Sequence, residues 1–156
     1  MKKVVALLVL LTSCLLGLNT QAQAFAGEMV PLKGSLAGKI VSLVFEGSTA
    51  HVVFVGTGNA TELGQYSATY PHQVDLTTGI EEGDMVLVAA NGDEIHAHVV
   101  GPSWPTDQPG IIQADTVATI TGGTGRFADA TGAVRMQGLV NLNTRNVTIT
   151  LEAKLE

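Results

Sequence analysis

Short runs of alternating apolar and polar residues dominate this chain. The clearest run spans 146–155, where Val147, Ile149, Leu151, Ala153 and Leu155 fall on one side and polar residues on the other. Such alternation is typical of a β-strand with one face in a core and the other in water. Similar patterns predict further strands over 33–39, 40–46, 51–55, 63–69, 85–89, 94–100, 114–121 and 133–141.

The connections between these runs favour an antiparallel arrangement. Asn91-Gly92 between two of them predicts a hairpin with a type I′ turn. Prolines and glycines over 101–110 predict one long loop. No segment offers ten residues of clean helical periodicity, so the prediction is an all-β domain. We expect an eight-stranded antiparallel barrel, with a sandwich as the alternative, because closure removes exposed strand edges.

The first 24 residues have the order of a secretory signal. A basic start is followed by an apolar run over 4–18 and then by Ala22-Gln23-Ala24. We therefore expect cleavage after Ala24, a single domain over 25–156, and a secreted or periplasmic location. The alternative is a lipobox ending at Cys14, which would make that cysteine a lipid-anchored first residue. The apolar run is about 15 residues long, shorter than the roughly 20 that span a bilayer.

The composition argues against nucleic acid as a partner and against stabilisation by a disulfide. The chain has 8 Lys and Arg against 14 Asp and Glu, and two of the lysines lie in the expected signal. The mature domain would carry a formal charge of about −8 with no basic cluster, which argues against nucleic acid as a partner. The single cysteine also lies in the signal, so we expect no disulfide.

A glycine-rich stretch, ITGGTGRFADATG at 120–132, resembles a dinucleotide fingerprint. Gly123, Gly125 and Ala128 fit G-x-G-x-x-G/A, but that motif must open a helix. Here an alternating segment follows, and only 24 residues remain after Gly132. The stretch is therefore interpreted as a corner between strands, and no nucleotide cofactor is expected. Its structural residues are Gly122, Gly123, Gly125, Phe127 and Gly132.

The corner also carries a family resemblance. TITGGTGRFADATG resembles the G-G-T-G-(K/R)-F corner of dirigent proteins and plant allene oxide cyclases. GTGNATELGQY, AANGDEI and VNLNT resemble segments of secreted bacterial proteins grouped with allene oxide cyclase-like barrels. The resemblance covers roughly 30–155. It implies an eight-stranded barrel with a mostly apolar cavity, a possible homotrimer, and no transferable catalytic residue.

Two sets of residues are candidates for chemistry. Glu94, His96 and His98 alternate on one predicted strand face. His96 and His98 have the spacing of two metal ligands, and a third would have to come from Glu94, His51 or His72. Surface histidines are the simpler interpretation, so no metal is expected. The candidates for ligand binding are Arg126, Tyr66, Tyr70 and Trp104. For Arg126, the alternative is a structural role in which Asp115 or Asp129 pairs with it.

Three functions remain open at this point. The first is a barrel that binds a small apolar ligand. The second is a cofactor-free cyclase or isomerase that acts by positioning its substrate. The third is a structural or interaction module with a filled barrel. A cavity that is open at one end would favour the first two over the third, because a small eight-stranded barrel either fills with side chains or holds one ligand.

Overall fold

The computed structural model describes residues 32–153, which form a closed eight-stranded antiparallel barrel. Every strand pairs with its neighbours in sequence, and the last strand pairs with the first. The predicted fold class is therefore confirmed. The strands are β1 (Gly34–Glu46), β2 (Thr49–Ala60), β3 (Gly64–Asp75), β4 (Ile80–Ala89), β5 (Glu94–Pro105), β6 (Ile111–Gly123), β7 (Gly132–Asn141) and β8 (Asn146–Ala153).

Two predicted boundaries were wrong. The runs over 33–39 and 40–46 form the single strand β1, whose register shifts between Ile40 and Ser42. A bulge of this kind lets one strand bend around a barrel and change which residues face inward. The predicted loop over 101–110 is also much shorter, because β5 continues to Pro105, which pairs with Ile112. Proline is compatible with a strand where its missing N–H is not needed by the ladder.

The hairpin at Asn91-Gly92 is present, but its turn is not type I′. Gly92 has a φ of 88°, whereas Asn91 is not among the residues with positive φ. The amide of Ala89 donates to the carbonyl of Asp93, so four residues connect β4 to β5. The Asn91 side chain accepts a hydrogen bond from the amide of Asp93 at 3.1 Å. This side-chain bond stabilises a longer turn than the dipeptide alone indicated.

The barrel has two different ends because the strands alternate in direction. The β2–β3, β4–β5 and β6–β7 connections lie at one end, which we call the closed end. The corner residues Phe127 and Ala130 are buried there, together with Leu32 and Leu63. The remaining connections lie at the opposite, open end. The glycine-rich corner therefore packs apolar side chains under one end of the barrel.

Some expectations fall on residues that the structure does not describe. The signal over 1–24, Cys14 and the expected start at Phe25 lie outside the described residues, as does the predicted last strand beyond Ala153. Over 32–153 the only helical element is a 3-10 turn, Gly125–Phe127. No helix in this part of the chain has the length and hydropathy needed to cross a membrane.

Candidate functional site

A cavity of about 250 Å³ occupies the open half of the barrel. It exists because small residues stand at several inward positions, among them Ala50, Ala114 and Gly138. At the closed end, the corner residues Phe127 and Ala130 cover the barrel, and inward side chains such as Leu36 and Ile95 are buried beneath them. The cavity walls are mostly apolar. Their aliphatic and aromatic members include Ile40, Leu43, Val52, Phe54, Val74, Met136, Val140, Val147 and Ile149.

Apolar side chains also surround the mouth of this cavity. Phe45, Leu76, Trp104 and Leu142 line it from four different strands or turns and are exposed to solvent. Phe45 is 62% exposed and Trp104 is 39% exposed. Large apolar residues gathered at one exposed place are typical of binding surfaces. The rim therefore offers an apolar entrance to the cavity.

Three titratable residues line the apolar cavity from neighbouring strands, in addition to the hydroxyl-bearing Ser103 and Thr116. Tyr70 and His72 lie two residues apart on the inner face of β3. Glu81 of β4 is opposite Val74, so strand pairing places it on the same face. Although Glu81 is an acid, its side chain is buried, with 8% of the residue exposed. We call Tyr70, His72 and Glu81 the polar cluster.

The ring of His72 is fixed by its neighbour in the polar cluster. Its plane stacks on the Tyr70 ring, with centroids 4.1 Å apart and an interplanar angle of 13°. His72 Nδ1 lies 3.2 Å from the backbone carbonyl oxygen of Tyr70. Because a carbonyl only accepts, Nδ1 carries the proton in this contact. Burial lowers the pKa of His72, and the bond to the carbonyl opposes this in part, so the ring is neutral near pH 7.

Glu81 is the group most affected by the cavity. Burial raises its pKa to about 7, and the neighbouring Tyr70 hydroxyl opposes this rise. Burial and the charge of Glu81 together raise the pKa of Tyr70 far above its ordinary value. The phenol therefore keeps its proton at every physiological pH. The Tyr70 hydroxyl is buried without a hydrogen bond of normal geometry among the described residues, although Glu81 is near enough to change its pKa.

The polar cluster gives the cavity a definite chemical character. Among residues 32–153, Tyr70, His72 and Glu81 are the only titratable side chains that line it, and no lysine or arginine of this range does. The cluster supplies one permanent donor, the Tyr70 hydroxyl, and one acid that titrates near neutral pH. Such a cluster inside a mostly apolar cavity is suited to bind a polar atom of a ligand or to exchange a proton with it.

The ligand-binding candidates chosen from the sequence divide between the two ends. Tyr70 and Trp104 line the cavity. Tyr66 is buried outside it, and its hydroxyl donates to the Ser35 carbonyl oxygen at 3.1 Å, while burial raises its pKa to about 12. Arg126 lies at the closed end, away from the cavity. Sequence reasoning did not single out Glu81 as a site residue, although its inward register would follow from correct strand boundaries.

The residues considered for metal binding make pairwise contacts instead. His96 Nε2 lies 2.7 Å from Glu94 Oε2, and His98 lies between Asp84 at 2.9 Å and Glu82 at 3.2 Å. Within 32–153 no group of three or more suitable side chains is arranged to hold a metal ion. His51 lies near Glu46, at 3.5 Å. His72, considered only as a possible third ligand, belongs to the cavity.

The partner of Arg126 differs from both acids that the sequence suggested. Its Nε lies 3.5 Å from the carboxylate of Asp93, in the β4–β5 connection, without the geometry of a hydrogen bond. Asp115 pairs instead with Arg135, whose Nε donates to it at 2.8 Å. The Arg126 guanidinium also lies 4.6 Å from the centroid of the Phe127 ring. Arg126 therefore connects two turns of the closed end.

Replacing Arg126 with lysine is expected to lower the melting temperature by a few degrees, at a cost of about 1 kcal/mol or less. Lysine keeps the charge but lacks the planar guanidinium that contacts both Asp93 and Phe127. Thermal unfolding followed by circular dichroism measures the change. Arg145→Lys, in an exposed turn at the open end, is the control and should unfold like the wild type. Equal melting temperatures for all three proteins would contradict the structural role of Arg126.

Comparison with known proteins adds no family or structural relative. No protein-family model, curated protein or solved structure matches this chain. The cavity and the polar cluster are therefore the features that bear on function.

Proposed function

We propose that this protein binds a small, mostly apolar organic molecule in the open half of its barrel. The observation that carries the proposal is the cavity of about 250 Å³, lined by apolar side chains and opening through an apolar rim. This volume is near the lower limit of typical ligand pockets, about 300–1,000 Å³. The resemblance to allene oxide cyclase-like barrels supports the same function.

We further propose that the protein is exported after cleavage of its signal.

Native mass spectrometry of protein purified from its own host is the direct test. A small molecule that leaves the protein on activation would support the proposal. The same spectra give the oligomeric state, which the family resemblance predicts to be a trimer. Binding can also be followed by fluorescence, because Trp104 is the only tryptophan and lines the mouth of the cavity.

Gly138→Val is expected to block binding and leave the fold intact. A Cβ at Gly138 would lie 3.6 Å from both Ala114 and Ile149, an ordinary contact, and the rest of the valine would project into the cavity. Valine also suits a strand better than glycine, so the melting temperature should not fall. We expect at least a tenfold loss of affinity for any ligand that binds the wild-type cavity, measured by Trp104 fluorescence.

The control for this variant is Leu139→Thr, on the next residue of β7 but with its side chain pointing outward and 50% exposed. It should bind like the wild type. Unchanged affinity in a folded Gly138→Val protein would show that the ligand binds elsewhere and would contradict the proposed site.

A second function is favoured by one observation, the polar cluster. An acid that titrates near neutral pH beside a buried phenol is the kind of pair that enzymes use for proton transfer to carbonyl compounds. A cofactor-free isomerase or cyclase would use the cavity walls to position its substrate and Glu81 to move a proton. Turnover of a bound molecule that stops in Glu81→Gln while binding persists would favour this function over binding alone.

A further inference from the structure

The Tyr70 hydroxyl is a hydrogen-bond donor without a partner of normal geometry within 32–153. Its oxygen is buried, and the hydroxyl belongs to a residue that lines the cavity. Buried tyrosine hydroxyls usually have a partner, because an unsatisfied polar group loses the hydrogen bond it would make in water. The other buried tyrosine of the barrel follows this rule, since Tyr66 donates to the Ser35 carbonyl. The Glu81 carboxyl acts on this hydroxyl without the geometry of a normal hydrogen bond, so Tyr70 is a donor at the cavity wall whose neighbour within 32–153 is Glu81.

The charges around the cavity disfavour an anionic ligand. In the described part of the chain no lysine or arginine lines it, and His72 is neutral. Glu82 and Asp84 follow Glu81 along β4. Both are exposed, so they add negative charge outside the barrel. A carboxylate or phosphate ligand would therefore meet repulsion with no compensating cation. The site is better suited to a neutral group that accepts a hydrogen bond.

We propose that the ligand is a neutral, mostly apolar molecule with one carbonyl oxygen, which accepts a hydrogen bond from the Tyr70 hydroxyl. This inference rests on the proposed function and names the chemical class of the ligand. The rim and walls bind the hydrocarbon part, while Tyr70 lies deeper, four residues along β3 from Val74 near the mouth. The hydrogen bond then orients the carbonyl end inward.

Glu81 makes this recognition dependent on pH. When protonated, its carboxyl is a second donor near the carbonyl oxygen. When ionised, it repels that oxygen and competes for the Tyr70 hydroxyl. The groups that face it are Tyr70 and His72 on β3, while Glu82 and Asp84 adjoin it on β4. Its partner on β5 is Gly101, and the other strands bring no titratable side chain to the cavity. Affinity for a ketone should therefore fall as pH rises through about 7.

Three probes of similar size test the proposal: cyclooctanone, methylenecyclooctane and cyclooctylamine. They present a carbonyl, a hydrocarbon group of the same shape and an ammonium group. Dissociation constants are measured at pH 6 and pH 8 from Trp104 fluorescence, which these probes do not obscure. For the wild type at pH 6, we expect the ketone to bind about tenfold more tightly than the hydrocarbon, because one hydrogen bond to a buried donor has about that effect.

Variants then identify the donor. Tyr70→Phe should remove the preference for the ketone, leave the affinity for the hydrocarbon unchanged and remain folded, since within 32–153 the deleted hydroxyl makes no hydrogen bond of normal geometry. Tyr66→Phe is the matched control: it should lower stability, because it breaks the bond to Ser35, and should keep the preference. Glu81→Gln should remove the fall in ketone affinity between pH 6 and pH 8.

The outcomes separate this inference from the proposed function. Equal binding of ketone and hydrocarbon to the wild type would overturn the inference and leave the binding function standing. Tightest binding of the amine would also overturn it, because the cavity would then recognise a cation through ionised Glu81. Absence of binding by all three probes would count against both proposals. A preference that persists in Tyr70→Phe would exclude Tyr70 as the donor.

Discussion

Replacing Glu81 with glutamine is expected to raise the free energy of unfolding at pH 8 by up to about 3 kcal/mol. Burial raises the pKa of Glu81 to about 7 in the folded protein, against an ordinary value of 4.5. The difference between these two pKa values converts to free energy at about 1.4 kcal/mol per pKa unit. The result is the free energy needed to keep this carboxylate ionised inside the barrel. Glutamine has nearly the same shape and avoids the charge.

The sign of the pH dependence follows from proton binding. Between pH 4.5 and about 7 the folded state holds a proton on Glu81 that the unfolded state has lost. Folding therefore becomes less favourable as pH rises through this window, and the full penalty applies above it. In Glu81→Gln this contribution is absent, so the variant should gain stability relative to the wild type as pH increases from 4.5 to 8.

Urea unfolding of both proteins at several pH values measures the effect. Glu82→Gln is the matched control, since Glu82 is the next residue of β4 and its side chain is 64% exposed near His98. Its effect should stay below about 1 kcal/mol, as is usual for exposed ion pairs. If wild type and Glu81→Gln lost stability in parallel over this window, Glu81 would not be an ionising buried group.

The large energetic cost of Glu81 bears on function. A buried acid with this expected cost would not be retained at this position for stability. Groups of this kind concentrate at functional sites, where chemistry or binding needs them. Stabilisation of the protein by Glu81→Gln, together with altered binding, would be the expected trade between stability and function.

Alternation along the strands was sufficient to predict the fold class. Runs such as the one from Asn146 show their inward residues directly, and turn signals separate neighbouring runs. Boundaries were less predictable, because a bulge at Ile40 or a proline such as Pro105 interrupts the pattern without ending the strand. Those interruptions depend on pairing with a distant strand, which local sequence does not report.

The site was only partly predictable for a related reason. Tyr70 and Trp104 were candidates because of their chemistry, and both line the cavity. Arg126 was a candidate for the same reason but lies at the closed end, beside Asp93. Glu81 was not a candidate, because the predicted strand began only at Met85, and its burial follows from its register opposite Val74. Space inside a barrel depends on which small residues meet across it, and this is a property of the closed fold.

The corner has a structural explanation that separates it from a nucleotide-binding loop. Gly125 has a φ of 55° and begins a 3-10 turn, after which the chain enters β7 instead of a long helix. A Cβ at this position would overlap the carboxylate of Asp93. That carboxylate accepts a hydrogen bond from the Asn91 side chain at 2.9 Å and pairs with Arg126. Gly125 therefore permits two turns of the closed end to meet.

Gly125→Ala is expected to lower the free energy of unfolding by about 2–4 kcal/mol. About 1–2 kcal/mol arises from alanine at positive φ, and the remainder from moving Asp93 away from its partners. Gly47→Ala is a close control, because Gly47 has a φ of 59° and nothing within 4 Å of a Cβ. Gly47→Ala should cost only the roughly 1–2 kcal/mol that arises from alanine at positive φ. Chemical denaturation of both variants gives the difference, which should exceed about 1 kcal/mol.

A double-mutant cycle assigns that difference to Asp93. In an Asp93→Ser background the carboxylate is absent, so Gly125→Ala should cost about as much as Gly47→Ala does in the wild type. The cycle would then give a coupling of about 1–2 kcal/mol between positions 93 and 125. Equal costs for Gly125→Ala in both backgrounds would mean that backbone conformation alone requires the glycine. The overlap with Asp93 would then contribute nothing to the cost of Gly125→Ala.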